Sequence, residues 1–237
     1  MLQKARERLI FALDVNTADE AENLVRMLAS EVGIFKVGLE LFVAQGPEIL
    51  ARLRRAGAQA IFLDLKLHDI PATMRAAAKS AARHGVDLLT CHCDQPEIFD
   101  GLDLGATKLL GITVLTSLGP EDLAAMGYPE ELTDPQALVV RRAGLAMNAG
   151  CAGVVCSGLE AAAVRQALGG EALVVCPGIR PADLKAGADD QKRIVTPEMA
   201  MRNGASHIVV GRPIRTARDP LAAARAVVES LAQGMAG

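Results

Sequence analysis

The sequence predicts a closed (β/α)8 barrel of the TIM type, built as a single domain from residues 1–237. Three observations carry that prediction. Eight short apolar runs recur along the chain, and capped helical patterns fill most of the gaps between them. The repeat is about 30 residues per unit, near what a barrel of ~250 residues requires. The runs are mostly continuous in hydrophobicity, as expected of parallel strands covered on both faces.

The elements follow in order. LIFALD (9–14) is the first strand, and Thr17-Ala18-Asp19-Glu20 behind it is a capping box. Ala21, Leu24, Val25 and Leu28 then form one apolar helical stripe. IFKVG (34–38) and AIFLDLK (60–66) are the second and third strands. Met74, Ala77, Ala78 and Ala81 repeat the helical spacing, and Gly85 suits the stop. DLLTCHC (87–93), LLGITVL (109–115), AGVVCS (152–157), ALVVCPG (172–178) and SHIVVG (206–211) complete the strands. Asp134-Pro135, Thr196-Pro197 and Asp219-Pro220 each read as an N-cap followed by proline in the first turn. Leu221, Ala224, Val228 and Leu231 give the last helix its buried face. A doubly wound open sheet is the alternative, but no G-x-G-x-x-G follows the first strand.

Composition narrows the function. The chain is 51% hydrophobic but only 3% aromatic, with no Trp and one Tyr, so the core is aliphatic and base-stacking platforms are not expected. A net charge of −3 with interspersed signs gives no reason to expect nucleic acid or an anionic membrane as partner. The apolar run near the N-terminus is too short for a secretory segment, and no stretch approaches the ~20 residues of a membrane span. Five cysteines, an odd number, then predict reduced thiols and a cytoplasmic protein. Cys91-His92-Cys93 offers two ligands on one strand face and no second cluster follows, so no metal is expected.

Polar residues gather where a barrel keeps its chemistry, at the C-terminal ends of the strands. They are Asp14, Lys36, Asp64, Lys66, His92, Thr116, Ser117, Ser157, Arg180 and Arg212. Side chains at i and i+2 share a strand face, so Asp64 and Lys66 point one way while Leu63, Leu65 and Leu67 point the other. With the leucines toward the helices, the charges face the interior. Burying them is costly unless they are paired, and Asp14 and Lys36 can balance them. The blander reading is a structural ion-pair network. Asp69 has one too, as a cap for the helix near Pro71, and His68 reads as a structural or surface residue. VVGRPI (209–214) places Gly211 and Arg212 at the eighth strand, where barrels often bind phosphate. The loop GIRPADLKAGADDQKR (178–193) is long and polar, as a mobile lid would be.

Asp64-Leu65-Lys66-Leu67-His68-Asp69-Ile70-Pro71 resembles the D-x-K-x-x-D-I-P signature of orotidine 5′-monophosphate decarboxylases. FALDV with Asp14, FKVG with Lys36, VLTS with Thr116 and Ser117, PGIR with Arg180, DDQKR with Gln191 and VGRPI with Gly211 and Arg212 fall in family order. The resemblance implies a cofactor-free, metal-free homodimeric enzyme that turns orotidine monophosphate into uridine monophosphate and carbon dioxide. It implies a catalytic array of Lys36, Asp64, Lys66 and Asp69, with Asp69 and Thr73 reaching into the partner's site. Asp14 and Lys36 would hold the ribose hydroxyls. Thr116 and Ser117 would meet the base, while Arg180, Gln191, Gly211 and Arg212 would grip the phosphate. One departure stands out. The family's small, Gly-rich turn after the His of the fourth strand is here Cys-Asp-Gln-Pro, and the segment to the next strand is short.

That chemistry explains charges in a strand. Loss of carbon dioxide leaves a carbanion at C6 of the pyrimidine, which Lys66 would stabilise and then protonate. Two alternatives share the motifs: a sugar-phosphate decarboxylase or synthase that uses magnesium, and a barrel that binds a phosphorylated ligand without turnover.

Overall fold

The computed structural model describes residues 1–181 and 195–236. Eight parallel strands close into a barrel in sequence order. They are β1 (Leu9–Ala12), β2 (Ile34–Gly38), β3 (Ala60–Leu67), β4 (Leu88–Cys91), β5 (Lys108–Ile112), β6 (Gly153–Val155), β7 (Leu173–Cys176) and β8 (His207–Val210). The helices of the first half are α1 (Leu2–Arg8), α2 (Ala18–Leu28), α3 (Leu39–Gln45), α4 (Glu48–Ala56) and α5 (Pro71–Arg83). Those of the second half are α6 (Pro120–Ala125), α7 (Pro135–Asn148), α8 (Ala161–Leu168), α9 (Pro197–Arg202), α10 (Arg212–Arg215) and α11 (Pro220–Ala236). Among the described residues, no helix is long and apolar enough to cross a membrane.

The expected caps form. Thr17 accepts from the Glu20 amide, Asp134 from Gln136 and Thr196 from Met199, and Asp219 Oδ1 accepts from Ala222 at 3.0 Å. Pro71, Pro135, Pro197 and Pro220 each open a helix, where their missing amide costs nothing. Six of the strands are shorter than their apolar runs, which continue into the loops; β2 matches its run and β3 extends one residue beyond it. The connection from β4 to β5, residues 92–107, contains no helix. Its shortness in the sequence has that result.

Burial has two layers. Ile10, Ala12, Ile34, Phe62, Leu88, Leu110, Val175 and Val209 plug the barrel interior. A larger aliphatic layer, including Leu9, Phe11, Phe35, Ile61 and Leu63, lies between the strands and the helices. Burial of both strand faces is why the runs read as continuous. Strand parity then places the site. Two residues beyond plug residues Ala12, Ile34 and Phe62 come Asp14, Lys36 and Asp64. The register sets Ala12 beside Lys36 and Gly38 beside Asp64, so the three charges converge.

Closure demands small residues at tight points. A methyl group on Gly153 would lie 2.1 Å from the Leu173 carbonyl oxygen and 2.6 Å from its amide nitrogen. Both are backbone atoms of β7 and cannot swing aside. Gly153→Ala is therefore expected to destabilise the fold by about 2 kcal/mol or more, in the upper range for overpacking. Urea unfolding of the two proteins checks this.

Candidate active site

The site is built around Asp64 on β3. Its Oδ1 accepts hydrogen bonds from Lys66 Nζ and from Thr90 Oγ1, each at 2.9 Å. Its Oδ2 lies 3.8 Å from Lys36 Nζ, which also donates to Asp14 Oδ1 at 3.2 Å. Four charges from three neighbouring strands thus form one chain, Asp14–Lys36–Asp64–Lys66. The outer members are wetter: the side chains of Lys36 and Asp64 are 11% and 14% exposed, those of Lys66 and Asp14 32% and 48%.

The backbone beneath Lys66 is irregular. Leu63 pairs with Leu89 and Leu67 with Cys91, so four steps along β3 face two along β4. Within this bulge Lys66 has φ +51°, a left-handed conformation that a side chain with a Cβ seldom adopts. The regular alternation expected from sequence is therefore broken at Lys66, although Asp64 and Lys66 do meet. Thr90 holds the bulge in place by accepting a hydrogen bond from the Lys66 amide at 2.9 Å. The His92 amide restores the ladder on Leu67 O at 2.8 Å.

Burial alone would raise the pKa of Asp64. The charges of Lys36 and Lys66 and the hydrogen bonds from Lys66 and Thr90 outweigh it and hold the carboxyl below the ordinary aspartate value. Asp64 is thus an anion at neutral pH, flanked by two ammonium groups.

A cavity of about 330 Å³ opens above this array. One wall carries Asp14, Lys36, Asp64 and Lys66, and its apolar floor includes Phe62, Ile112 and Val155. Thr116 and Ser117 line it from the loop after β5, and Arg180, Gly211 and Arg212 from the β7 and β8 ends. Nine of the expected residues therefore share one cavity. Asp69 and Thr73 do not: they lie exposed where β3 leads into α5, outside the cavity of their own chain. Gln191, and most of the expected lid, fall outside the described residues.

Other expectations resolve individually. Asp69 does not cap α5. Its Oδ1 accepts from the adjacent Ile70 amide at 2.6 Å, and the N-cap position is Ile70 itself. His92 stacks on His68 at 4.6 Å, and His68 is bonded to Asp94, so this rim is held by side-chain packing outside the cavity. Burial, together with the neighbouring His68, pushes the His92 pKa down. Ser157 is fully buried and accepts from the Leu159 amide. Sequence reasoning missed Thr90 and Gly38. Thr90 stands two residues beyond Leu88, a plug residue, so strand parity would have placed it inside. Gly38 leaves room for the array, since a Cβ there would come within 3.0 Å of Lys36 Nζ.

Known proteins resemble this chain along nearly its whole length. The profile of the orotidine 5′-phosphate decarboxylase / HUMPS family matches residues 7–227. The chain is 45% identical to the orotidine 5′-phosphate decarboxylase of Desulfosudis oleivorans, covering 97% of this chain and 95% of that protein. It is 49% identical to that of Anaeromyxobacter sp. strain K, covering 96% and 100%. The crystal structure of orotidine 5′-phosphate decarboxylase from Lactobacillus acidophilus superposes with a TM-score of 0.78 at 33% identity, covering 94% of this chain and 98% of that one.

Thr90 offers a measurable handle on the array. Thr90→Val keeps the shape but removes a hydrogen bond to a charged group, for an expected loss of about 1.5–3 kcal/mol at neutral pH. The Asp64 pKa should rise in the variant, as read by carboxyl carbon NMR. A folded-state pKa below the unfolded value adds stability at higher pH that is lost as pH falls through the folded value. The stability gap between wild type and variant should therefore narrow in acid, measured by urea unfolding across a pH series.

Proposed function

Since the chain belongs to the orotidine 5′-phosphate decarboxylase / HUMPS family, we propose that it decarboxylates orotidine 5′-monophosphate to uridine 5′-monophosphate, a step of pyrimidine biosynthesis. The observation that carries this reading is Lys66, held in a strained backbone between Asp64 and Thr90 with its ammonium group at the cavity wall. Such strain persists only where surrounding contacts over-determine it.

The proposed mechanism uses the residues of the cavity in turn. Arg180 and Arg212 are the cationic groups for a phosphate, with Gly211 allowing close backbone approach. Gln191 joins them in this reading. The ribose hydroxyls then face Asp14 and Lys36, and Thr116 and Ser117 meet the polar edge of the base. That pose sets C6 of the pyrimidine against Lys66, with its carboxylate toward Asp64. As the C6–carboxyl bond breaks, its electron pair stays on C6 in the ring plane. The Lys66 ammonium stabilises the developing charge and delivers the proton, so no metal or organic electron sink is required. Asp64 pairs with Lys66 and Lys36 and aims them. Phosphate binding, remote from C6, supplies energy for orienting the base.

In this reading the enzyme is a homodimer. Asp69 and Thr73 sit outside their own cavity, and each completes the array of the neighbouring subunit.

An absorbance assay with orotidine 5′-monophosphate is the direct check, run with and without excess EDTA. Turnover that survives the chelator is expected; turnover abolished by it would favour the magnesium-dependent sugar-phosphate reading. Lys66→Ala should lower kcat by at least the ~10²–10⁴-fold typical of a general acid, with a smaller effect on substrate binding. Near wild-type turnover in that variant would remove Lys66 from the mechanism.

Mixing two inactive proteins probes the shared site. When Lys66→Ala and Asp69→Ala chains exchange subunits, each heterodimer has one doubly defective site and one intact site. Random exchange then restores about one quarter of all sites. If Asp69 served its own chain, the mixture would remain as inactive as its parents once mass-tagged chains confirm exchange.

A further inference from the structure

We propose that Cys91, Cys93 and Cys151 form a binding site for one soft, thiophilic metal ion, separate from the active site. Their sulfurs mark a compact triangle, with Sγ–Sγ distances of 3.4 Å (Cys93–Cys151), 3.8 Å (Cys91–Cys151) and 3.9 Å (Cys91–Cys93). An ion with metal–sulfur bonds of ~2.3 Å in a tetrahedral set needs sulfurs about 3.8 Å apart. The triangle already has nearly that size, so loading it requires adjustments of a few tenths of an ångström. Thiolate sets of this kind select zinc and cuprous ions, and their heavier soft congeners, over hard cations.

The fold creates the triangle from residues that the sequence keeps apart. Cys91 ends β4 and Cys93 follows two residues later in the connection to β5, the two-ligand arrangement from which no metal was expected. The third sulfur arrives from the far end of α7, 58 residues beyond Cys93. There Gly150, at φ +90°, turns the chain back, and the Cys151 amide bonds Ala146 O at 3.0 Å. Small neighbours make the room. A Cβ on Gly111 would lie 2.3 Å from the Ala146 methyl and 3.5 Å from Cys93 Sγ.

The site is covered but reachable. Cys91 is fully buried, whereas Cys93 and Cys151 retain 7% and 5% exposure. Cys93 belongs to the helix-free 92–107 connection, which is tied to the end of α7 by Glu97 N to Asn148 O and Phe99 N to Ala149 O, both 3.0 Å. His92 stacks on His68 rather than joining the triangle, so the fourth position is assigned to water in this proposal. Binding a divalent ion displaces three thiol protons to solvent and leaves a complex of net charge −1, with no redox change. Cys156 and Cys176, the other buried thiols, adjoin one another without a third and make a natural control.

The experiment uses the full chain, reduced, stripped of metal and kept under argon, with Cd²⁺ and Zn²⁺ as probes. One Cd²⁺ per chain is expected, with sulfur-to-cadmium charge-transfer absorption. X-ray absorption of the zinc-loaded protein should show three sulfurs at ~2.3 Å. Cys93→Ala and Cys151→Ala should each weaken Cd²⁺ binding more than ~10²-fold, beyond what loss of an outer-shell partner causes. Cys176→Ala should bind as the wild type does. Absence of stoichiometric Cd²⁺ binding, fewer than three sulfur scatterers, or unchanged affinity in Cys151→Ala would each overturn the proposal. If an alanine variant fails to fold, the sulfur count in the wild-type zinc spectrum decides alone.

Discussion

The carboxylate of Asp64, wedged between two ammonium groups, is the constraint on which the working end of this barrel depends. Each of its neighbours needs it. Lys66 and Lys36 each find a counter-ion in Asp64, and Asp64 stays an anion because they surround it. Removing any one member leaves an uncompensated charge, which is worse than having built no network at all. Thr90 extends the dependence into the backbone. One hydroxyl both donates to Asp64 and accepts from the Lys66 amide, linking the electrostatics of the site to the bulge that aims the lysine.

Much of this was legible in the sequence. Eight continuous runs, proline-marked helix starts and about 30 residues per unit were enough for the barrel, because burial on both strand faces writes itself into composition. The array was legible because charges two residues apart in an apolar strand have few bland explanations. Other features have no linear signature. The left-handed turn at Lys66 follows from a register shift between two strands, so regular alternation gave the right neighbours for a more regular reason than the true one. Thr90 was hidden because a single threonine in LLTC looks like an ordinary strand residue until its parity with Leu88 is counted. Asp69 looked able to cap α5, but its carboxyl turns to the adjacent amide.

The same limit applies on the outer face of β4. Cys91 and Cys93 are visible as a pair, but Cys151 stands alone in the sequence and joins them only when α7 packs on β5. The short 92–107 segment was readable as a departure in length, and its consequence is structural: without a helix, a loop pinned by backbone bonds to the end of α7 carries Cys93.

The bent backbone at Lys66 separates two properties that usually travel together. A left-handed position is most comfortable for glycine, and every side chain with a Cβ pays a conformational penalty there. The residue that best suits the fold at position 66 is thus not the residue to which the proposed chemistry assigns the central role. Laboratory evolution for heat resistance alone would tend to drift away from lysine at this point, while selection for turnover would pull it back. The barrel carries a fixed, local toll on its own durability, set at a single peptide unit rather than spread through its core.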